Sequence, residues 1–195
     1  AFDKTARLLE LPYPGGPNLS KIADDYIKKH PLEKLNLFPR PMIHENNFDW
    51  SFSGLKTAVL HEVKKVSGID SAHVKLSDYE KFFVSDKSKS KIPKLAAEIQ
   101  EAIVDSLIKK SVKAIIKYKP KSFLLAGGVA ANTRLREKFQ KQVAAENIHI
   151  DFRAPVPPLC TDNAAYIAAC AYYNYKPVDW KKITANPELT ITSEL

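Results

Sequence analysis

The amino-acid sequence, 195 residues long, predicts a helix-rich α/β fold with a small parallel sheet. Two short apolar segments, 122–126 and 148–152, are typical of strands, and residues 132–145 between them have the apolar spacing of a helix. Strands that are connected through a helix pair in parallel. Apolar residues at helical spacing dominate the rest of the chain, so we expect helices to outnumber strands.

Proline and glycine set the predicted boundaries in the first third of the chain, because proline restricts φ and glycine adopts conformations that other residues avoid. Asn18 and Ser53 are predicted to cap two of the helices. In chain order the predicted elements are the end of a helix at 1–11, a rigid turn at 12–17, a helix at 18–29, an ordered loop at 31–50 and a helix at 53–66.

The longest predicted helix begins near Pro93 and ends at Tyr118. Proline suits the first turn of a helix, because the N–H that it lacks has no partner there. Two apolar stripes run along this segment, rotated from one another, so we expect the helix to be covered on more than one side and central to the fold. The first stripe is Ile92, Leu95, Ala96, Ile99, Ala102 and Ile103, and the second is Val104, Leu107, Ile108 and Ile115.

The last third of the chain follows the second strand. Residues 162–173 are predicted to form a helix of small residues suited to close packing, and 177–195 form a tail with little pattern. No secondary structure is assigned to the earlier segment 68–91, whose end at 85–91 is low in complexity.

The chain has a net charge of +8, and the positive excess is concentrated between residues 81 and 121, where 11 lysines face four carboxylates. A clustered surplus is expected of a protein that binds a polyanion, and a solvated lysine-rich face explains it equally well. No apolar run reaches the ~18 residues of a membrane-spanning helix. The two cysteines have neither disulfide-framework nor zinc-site spacing, so we expect a cytoplasmic protein without a membrane partner.

The strongest local motif is the glycine pair Gly127-Gly128, where a predicted strand ends and a helix begins. Without Cβ atoms at these positions, the backbone can approach a flat or anionic ligand, and the N-terminus of the next helix lies behind it. Asn132 could present its amide to that ligand or cap the helix, and the motif alone leaves both interpretations open.

Two aspartates are further candidates for chemistry. Asp162 could be a metal ligand or a helix cap, since carboxylates are favoured at helix N-termini. Asp3 precedes the glycine turn at 15–16 and could accept a hydrogen bond from a ribose hydroxyl, or it could be an ordinary surface carboxylate.

Several known motifs are incomplete or absent. The hydroxyls of 51–57 and Lys56 could hold an anion, but capping by Ser53 explains the same residues. The histidine and glutamate at 61–62 resemble the start of the zinc-protease motif H-E-x-x-H, but Lys65 occupies the position of the second histidine. The sequence contains neither G-x-S-x-G nor G-x-x-x-x-G-K-[ST], so these routes to a protease, an esterase or a P-loop enzyme are excluded.

Six short motifs follow one another in a fixed order. They are Phe2-Asp-Lys-Thr-Ala6, Tyr13-Pro-Gly-Gly-Pro17, Phe38-Pro-Arg-Pro41, Ser51-Phe-Ser-Gly-Leu-Lys-Thr57, Ala126-Gly-Gly-Val-Ala-Ala-Asn132 and Cys160-Thr-Asp-Asn163. From Ala1 to about Tyr173 the chain resembles the C-terminal part of the tRNA N6-adenosine threonylcarbamoyltransferases, once called sialoglycoproteases. Six motifs in order are far more specific than any one of them.

The resemblance implies the actin-like ATPase and sugar-kinase (ribonuclease H-like) fold, in which two α/β lobes enclose a nucleotide. It implies an acyltransferase that moves a threonylcarbamoyl group from threonylcarbamoyl-AMP to N6 of the adenosine next to the tRNA anticodon. A smaller paralogous subunit and an ATPase subunit are implied as partners. The polyanion would be tRNA, and Lys109, Lys113 and Lys117, which recur every four residues, would form one basic ridge for it.

The resemblance also assigns site residues. Asp3 and Gly16 would contact the adenylate, and Gly127, Gly128 and Asn132 would also hold the nucleotide. These five residues, with Asp162, are expected to converge on one cleft.

Asp162 would be one ligand of a divalent metal ion, iron or zinc, with the remaining ligands outside this chain. Ser20 stands where some relatives have an acidic residue, which puts a second carboxylate contact to ribose in doubt. The family's metal-binding H-x-x-x-H helix and its Ser-Gly-Gly loop are absent from the sequence. We therefore expect the chain to be about the last three-fifths of a larger polypeptide, and to be inactive without an N-terminal half supplied in cis or as a separate chain.

The resemblance divides the chain into three parts. Residues 1–158 would belong to the C-terminal lobe with the nucleotide-binding glycine turns, 159–176 would form a helix that returns to the first lobe and carries the metal aspartate, and 177–195 would be a tail. A non-catalytic nucleotide-binding scaffold subunit of the same fold is the main alternative. A small-molecule kinase of the same superfamily would need a catalytic aspartate and phosphate loops upstream.

Overall fold

The computed structural model describes residues 1–68 and 86–188 and confirms a helix-rich α/β fold with a small parallel sheet. In these ranges the elements are α1 (Phe2–Leu8), α2 (Gly15–Lys29), α3 (Ser53–Ser67), α4 (Asp86–Lys89), α5 (Ile92–Tyr118), β1 (Ser122–Leu124), α6 (Thr133–Ala145), β2 (Asp151–Arg153) and α7 (Ala164–Tyr173). Short 3-10 helices occupy Gly128–Ala131, Pro157–Leu159 and Trp180–Lys182. Most of the unassigned segment 68–91 lies outside the described residues.

The chain divides into two compact units, Ala1–Cys160 and Thr161–Leu195. The first contains α1 to α6 and both strands, and the second contains α7 and the 3-10 helix that follows it. Among the described residues, no helix is both long enough and apolar enough to cross a membrane.

Helix α5 is the centre of the first unit, and its two apolar stripes enter two different cores. This confirms the prediction that the helix is covered on more than one side. The first core joins Leu95, Ala96, Ile99, Ala102 and Ile103 to buried residues of α1, α2 and α3, among them Ala6, Leu19, Leu55 and Val59. The second joins Val104, Ile108, Val112 and Ile115 to Leu135 and Phe139 of α6 and to the sheet.

The two strands pair in parallel, as predicted, with Phe123 opposite Phe152. Both rings pack on Phe139 of α6, with centroids 4.6 and 4.9 Å away. Leu124 is nevertheless 68% exposed, and only the middle residue of each strand is partly covered. Within this unit α6 packs on the central phenylalanines and leaves the strand ends in solvent.

Helix α2 begins at Gly15, three residues before its predicted start, and Pro14 precedes it. The predicted cap Asn18 is therefore wrong. Its side-chain amide donates instead to the carbonyl oxygens of Pro12 and Pro14, at 2.9 and 3.0 Å. The early start costs little free energy. It places Pro17 in the first helical turn, where N–H groups have no acceptor within the helix, so the N–H that proline lacks removes no hydrogen bond.

Two other capping interpretations are wrong. Ser53 is already the first residue of α3, and its N–H donates to the hydroxyl of Ser51 at 3.3 Å. The cap of α7 is Asn163 and not Asp162, because Oδ1 of Asn163 accepts the N–H of Tyr166 at 3.2 Å. Several residue types that can cap a helix follow one another in both segments, so residue type alone does not choose between them.

The second unit has a different character from the first. Helix α7 contains no buried residue, although its sequence consists of alanine, tyrosine, isoleucine and cysteine. Ile167 is 60% exposed and Trp180, in the following 3-10 helix, is 74% exposed. The close packing predicted for this small-residue helix is not present within the described residues.

Candidate functional site

The first part of the candidate site is the contact between α1 and the start of α2. Asp3 lies in the first turn of α1, and its Oδ1 accepts a hydrogen bond from the N–H of Gly16 at 2.9 Å. The first N–H groups of a helix lack an acceptor within the helix, and a carboxylate there is stabilised by the helix dipole. Asp3 therefore supports the start of α2 through one of its two carboxylate oxygens.

The two glycines at the start of α2 are used differently. A Cβ on Gly15 would lie 2.8 Å from the Cβ of Ala6 and 3.0 Å from the Cα of Asp3. The helices approach this closely because Gly15 has no side chain. A Cβ on Gly16 would meet the Cβ of Phe2 at 3.7 Å, an ordinary contact distance. The close packing therefore requires glycine at position 15, whereas Gly16 contributes its backbone N–H to the hydrogen bond with Asp3.

A shallow hollow of about 420 Å³ opens beside this contact. Asp3, Lys4 and Arg7 of α1 line it, together with Tyr13, which is 91% exposed. The two cations attract anionic groups, and the carboxylate accepts hydrogen bonds from hydroxyls. The hollow therefore suits a small ligand that carries both kinds of group.

The second part of the site is the glycine turn after β1. Gly127 has a φ of 83°, in the region that favours glycine, and Gly128 begins a 3-10 helix that ends at Ala131. Both glycines are exposed, and a Cβ built on either would meet no atom within 4 Å. The backbone conformation accounts for Gly127, and the open surface above the turn leaves room for a ligand against the backbone.

Asn132 caps α6 and also joins this turn to two other helices. Its Oδ1 accepts the N–H of Leu135 at 2.8 Å, which confirms the capping interpretation. Its Nδ2 donates to Ser20 Oγ of α2 at 2.9 Å and to Gln100 Oε1 of α5 at 2.8 Å. Gln100 in turn donates to Asp24 of α2 at 2.7 Å. Both amide N–H groups of Asn132 thus have acceptors within the protein.

The structure brings part of the predicted constellation together. Ser20 follows Gly16 by one turn of α2, about 6 Å along the helix axis, so Asn132 meets the same end of α2 that Asp3 supports. The glycine pair at 127–128 belongs to the turn that Asn132 ends. Asp162 belongs to the second unit. Nucleotide binding by these residues stays a prediction.

Asp162 is exposed, and the hydroxyl of Tyr166 donates to its Oδ1 at 3.4 Å. Among residues 1–68 and 86–188, no three His, Cys, Asp or Glu side chains are grouped closely enough to hold a metal ion. At Asp162 the described part of the chain therefore provides one carboxylate ligand, and one carboxylate does not make a metal site by itself.

The lysine ridge of α5 lies against the loop before α3. Lys113 donates to the carbonyl oxygen of Glu45 at 3.2 Å and to Asn46 Oδ1 at 2.8 Å, and Nζ of Lys117 lies 5.1 Å from the ring centroid of Phe48. Lys109 is exposed and lines a groove of about 730 Å³. Because the partners of Lys113 and Lys117 are uncharged groups, these contacts do not neutralise the positive face.

A partly buried network of charged side chains holds α5, α6 and the loop before α3 together. Arg134 and Lys138 each bind Glu101 at 2.6 Å, Lys138 also binds Asp105, and Arg40 binds Asp105 at 2.9 Å. Burial alone would raise the pKa of Glu101, but the hydrogen bonds from Arg134 and Lys138 outweigh it, so the pKa lies below its ordinary value. Glu101 is thus held ionised within this network.

The sequence prediction missed the contacts of Ser20 and Gln100 with Asn132, and it missed Arg136 of α6, which donates to the carbonyl oxygen of Ala130 in the glycine turn. Gln100 is fully buried in the middle of an apolar helix, and a buried amide needs partners. That is the signal that could have identified it. For Ser20 the sequence signal is only a departure from some relatives, and no sequence pattern singles out Arg136.

A family model described as TsaD, tRNA N6-adenosine threonylcarbamoyltransferase, matches residues 1–169. Three proteins of that name, among others, are similar to it. The one from Thermosipho africanus (strain TCF52B) is 42% identical over 180 residues, which is 90% of this chain and 46% of the relative.

The relative from Kosmotoga olearia is 40% identical over 197 residues, with 99% of this chain and 50% of the relative covered. The relative from Staphylococcus haemolyticus is 36% identical over 188 residues, with 96% and 48% covered. The chain spans about half the length of the curated relatives it matches. It belongs to the tRNA N6-adenosine threonylcarbamoyltransferase family.

Proposed function

We propose that the protein containing this chain transfers a threonylcarbamoyl group from threonylcarbamoyl-AMP to N6 of the adenosine next to the tRNA anticodon. Family membership and the names of the relatives support this reaction. The observation within the chain that carries the proposal is the hydrogen-bonded junction of Asn132, Ser20 and Gln100. Through it, the segments whose motifs resemble nucleotide-binding motifs meet in the folded chain.

In this proposal the chain holds the adenylate. Ribose hydroxyls would donate to the carboxylate of Asp3, and the backbone of Gly16 would contact the adenylate next to that carboxylate. The open backbone at Gly127 and Gly128 would receive the flat or anionic part of the nucleotide. Asn132 would act by holding the turn in place, since both of its amide N–H groups already have acceptors.

The transfer exchanges one acyl bond for another. The N6 amine of the tRNA adenosine attacks the carbamoyl carbon, the bond from that carbon to the phosphate oxygen breaks, AMP leaves, and N6 gives a proton to solvent. Holding the adenylate orients that carbon toward N6. We assign no catalytic acid or base to the residues of this chain.

Asp162 is proposed as one ligand of a divalent iron or zinc ion, with the other ligands outside the chain. A carboxylate oxygen is a suitable donor for either ion. The bound ion would polarise and orient the transferred group. One carboxylate would leave the ion mostly solvated, so this part of the proposal requires the rest of the protein.

The remaining parts of the proposal concern partners. Together with an N-terminal half, the chain would complete the actin-like two-lobed fold. The tRNA would approach the ridge of Lys109, Lys113 and Lys117, and a smaller paralogous subunit and an ATPase subunit would bind other surfaces. The isolated chain would be inactive.

The proposal is tested by measuring incorporation of labelled threonine from threonylcarbamoyl-AMP into tRNA. We expect no turnover by the isolated chain and clear turnover after it is combined with the N-terminal half of the Thermosipho africanus relative. Asp162→Asn should lower the rate by about 10-fold or more, as losses around a metal typically do. Asp179→Asn, an exposed aspartate of the same unit, is the matched control and should have no effect.

Turnover by the isolated chain would refute the requirement for a second half. If the two halves form a stable complex that binds tRNA but transfers nothing, the proposed reaction itself is wrong.

A non-catalytic scaffold is the second candidate, and one observation favours it. A scaffold without a catalytic role would keep the glycine pairs and Asn132 only if these residues had structural roles. In this structure Gly15 allows close helix packing, Gly127 has a φ that favours glycine, and Asn132 joins three helices. AMP binding by calorimetry together with turnover in the combined protein would favour the transferase, whereas AMP binding without turnover would favour the scaffold.

A further inference from the structure

Arg136 of α6 lies between the two loops that follow the two strands. Its Nε donates to the carbonyl oxygen of Ala130 and its Nη2 donates to that of Pro155, both at 2.5 Å. Nη2 also donates to Sγ of Cys160 at 3.3 Å. One guanidinium group therefore contacts both the glycine turn after β1 and the loop after β2.

The loop after β2 is folded back onto this contact. The thiol of Cys160 donates to the carbonyl oxygens of Pro155 and Val156, at 3.7 and 3.6 Å. Cys160 is 5% exposed, so Arg136 and the loop backbone close over it. In open α/β sheets, ligands bind in the crevice outside the carboxyl ends of the parallel strands, which is where both loops begin.

We propose that Arg136 is a positioning residue that fixes the glycine turn and the 155–160 loop relative to each other, so that the backbone of the 127–128 glycine pair can receive an adenylate. This inference rests on the proposed function. The planar guanidinium directs separate N–H groups to two carbonyl oxygens, whereas the single nitrogen of a lysine does not reproduce that fixed fork. The partners of Arg136 in these contacts are neutral, so the geometry of the fork matters more than its charge.

Arg134 provides a matched control on the same helix. It lies two positions earlier and binds Glu101 of α5 at 2.6 Å, so its loss weakens the packing of α6 on α5. It is likewise a partly buried arginine with a short hydrogen bond. A purely structural effect of losing an arginine from α6 should therefore be seen with either residue.

The first readout is independent of nucleotide binding. Cys160 in the full-length protein is alkylated with iodoacetamide, and the peptide that contains it is quantified by mass spectrometry. We expect Arg136→Ala to speed alkylation by about 10- to 100-fold, because a buried thiol reacts through local opening and charge-assisted hydrogen bonds hold this loop closed. Arg134→Ala should leave the rate within about 2-fold of the unaltered protein at matched folded fraction.

The second readout is the affinity for AMP, measured by calorimetry on the same full-length variants. Arg136→Ala should raise the Kd for AMP by about 10-fold or more, since a loop that is no longer held in place must be ordered when AMP binds. Arg136→Lys keeps the charge but not the fork, so it should be impaired to a similar degree. Arg134→Ala should leave the Kd unchanged.

Three results would overturn the inference. An unchanged alkylation rate in Arg136→Ala would show that the residue does not hold the loop. Faster alkylation with an unchanged Kd for AMP would show that the contact does not position the nucleotide site. Full AMP affinity in Arg136→Lys would show that only the charge matters.

Failure of the proposed function is distinguishable from these results. If the unaltered protein does not bind AMP at all, the proposed nucleotide site is wrong and the positioning of an adenylate falls with it. The alkylation rates then still decide whether Arg136 holds the two loops together.

Discussion

Helices α5 and α7 are both rich in apolar residues but differ in burial. α5 lies between the two cores of the first unit, and even Glu98, Glu101 and Lys110 on it are buried. α7 carries no charged residue, yet none of its residues is buried, and Tyr172 and Tyr173 are 77% and 82% exposed.

The difference shows that an apolar composition predicts that a helix face will be buried, but it does not predict which part of the protein buries that face. The buried charges of α5 are accommodated because the first unit supplies partners. Lys110, for example, donates to the carbonyl oxygens of Glu45 and Asn47 at 3.1 and 3.0 Å. For α7, the sequence prediction assigns the partner to another lobe of the protein, and the relatives are about twice as long as this chain.

The largest predicted effect compares one isoleucine from each helix. Ile99 of α5 is fully buried and Ile167 of α7 is 60% exposed. In the isolated chain, Ile99→Ala should lower the free energy of unfolding by about 2–5 kcal/mol through lost burial and a cavity. Ile167→Ala should change it by about 0.5 kcal/mol or less. Urea unfolding measures both, and equal losses would contradict the contrast between the helices.

The next prediction concerns two glutamates one turn apart on α5. Glu101→Gln should lower the free energy of unfolding by about 1–3 kcal/mol at pH 7, because it weakens charged hydrogen bonds to Arg134 and Lys138. Glu98→Gln should stay within about 0.5 kcal/mol, since an amide oxygen can still accept the N–H of Leu37. Urea unfolding across a range of pH checks the pair.

The pH dependence of these two carboxyls should have opposite sign. The pKa of Glu101 is lowered on folding, so its stabilising contribution is present above its ordinary value of 4.5 and is lost as the pH falls. Burial raises the pKa of Glu98, so folding favours its protonated form and that contribution is lost as the pH rises above 4.5. A stability difference between Glu101→Gln and the unaltered chain that does not shrink in acid would refute the role of the ionised group.

An effect of similar size separates the two glycines at the start of α2. Gly15→Ala should lower the free energy of unfolding by about 1–3 kcal/mol, because the added Cβ would overlap Ala6 and the backbone of Asp3. Gly16→Ala should be neutral or stabilising by up to about 1 kcal/mol, since the added Cβ would meet its neighbours at ordinary contact distances and alanine favours helix. Thermal unfolding of the two variants would disagree with this account if Gly16→Ala proved the more damaging.

The smallest predicted effect concerns tRNA. In the combined protein, Lys109→Glu with Lys117→Glu should weaken tRNA binding for all sequences and reduce its salt slope by about 2, as loss of two phosphate contacts does. Lys181→Glu with Lys182→Glu makes the same charge change in the second unit and is the control. Equal effects of the two pairs would leave α5 with no special role in binding tRNA.

Local patterns predicted what local forces determine. The two stripes of α5 and the cap of α6 at Asn132 follow from spacing and residue type within one segment. The start of α2 could not be predicted in this way, because the carboxylate that supports it comes from Asp3 on another helix.

The candidate site was likewise only partly predictable from local sequence patterns. The glycine turn could be found from its motif, but the partners of Asn132 lie 32 and 112 positions away in the chain. Those contacts, and the bridge made by Arg136, depend on how helices pack, which neither periodicity nor spacing reveals.

The central proposal is that α5 is buried by other parts of this chain, whereas α7 would be buried only by the rest of the protein. Hydrogen exchange followed peptide by peptide tests this directly, on the isolated chain and on the chain combined with the N-terminal half of a relative. The account predicts slow exchange throughout the middle of α5 in both samples, and slow exchange in α7 only in the combined sample. Rapid exchange of α7 in both samples, despite restored turnover, would contradict it.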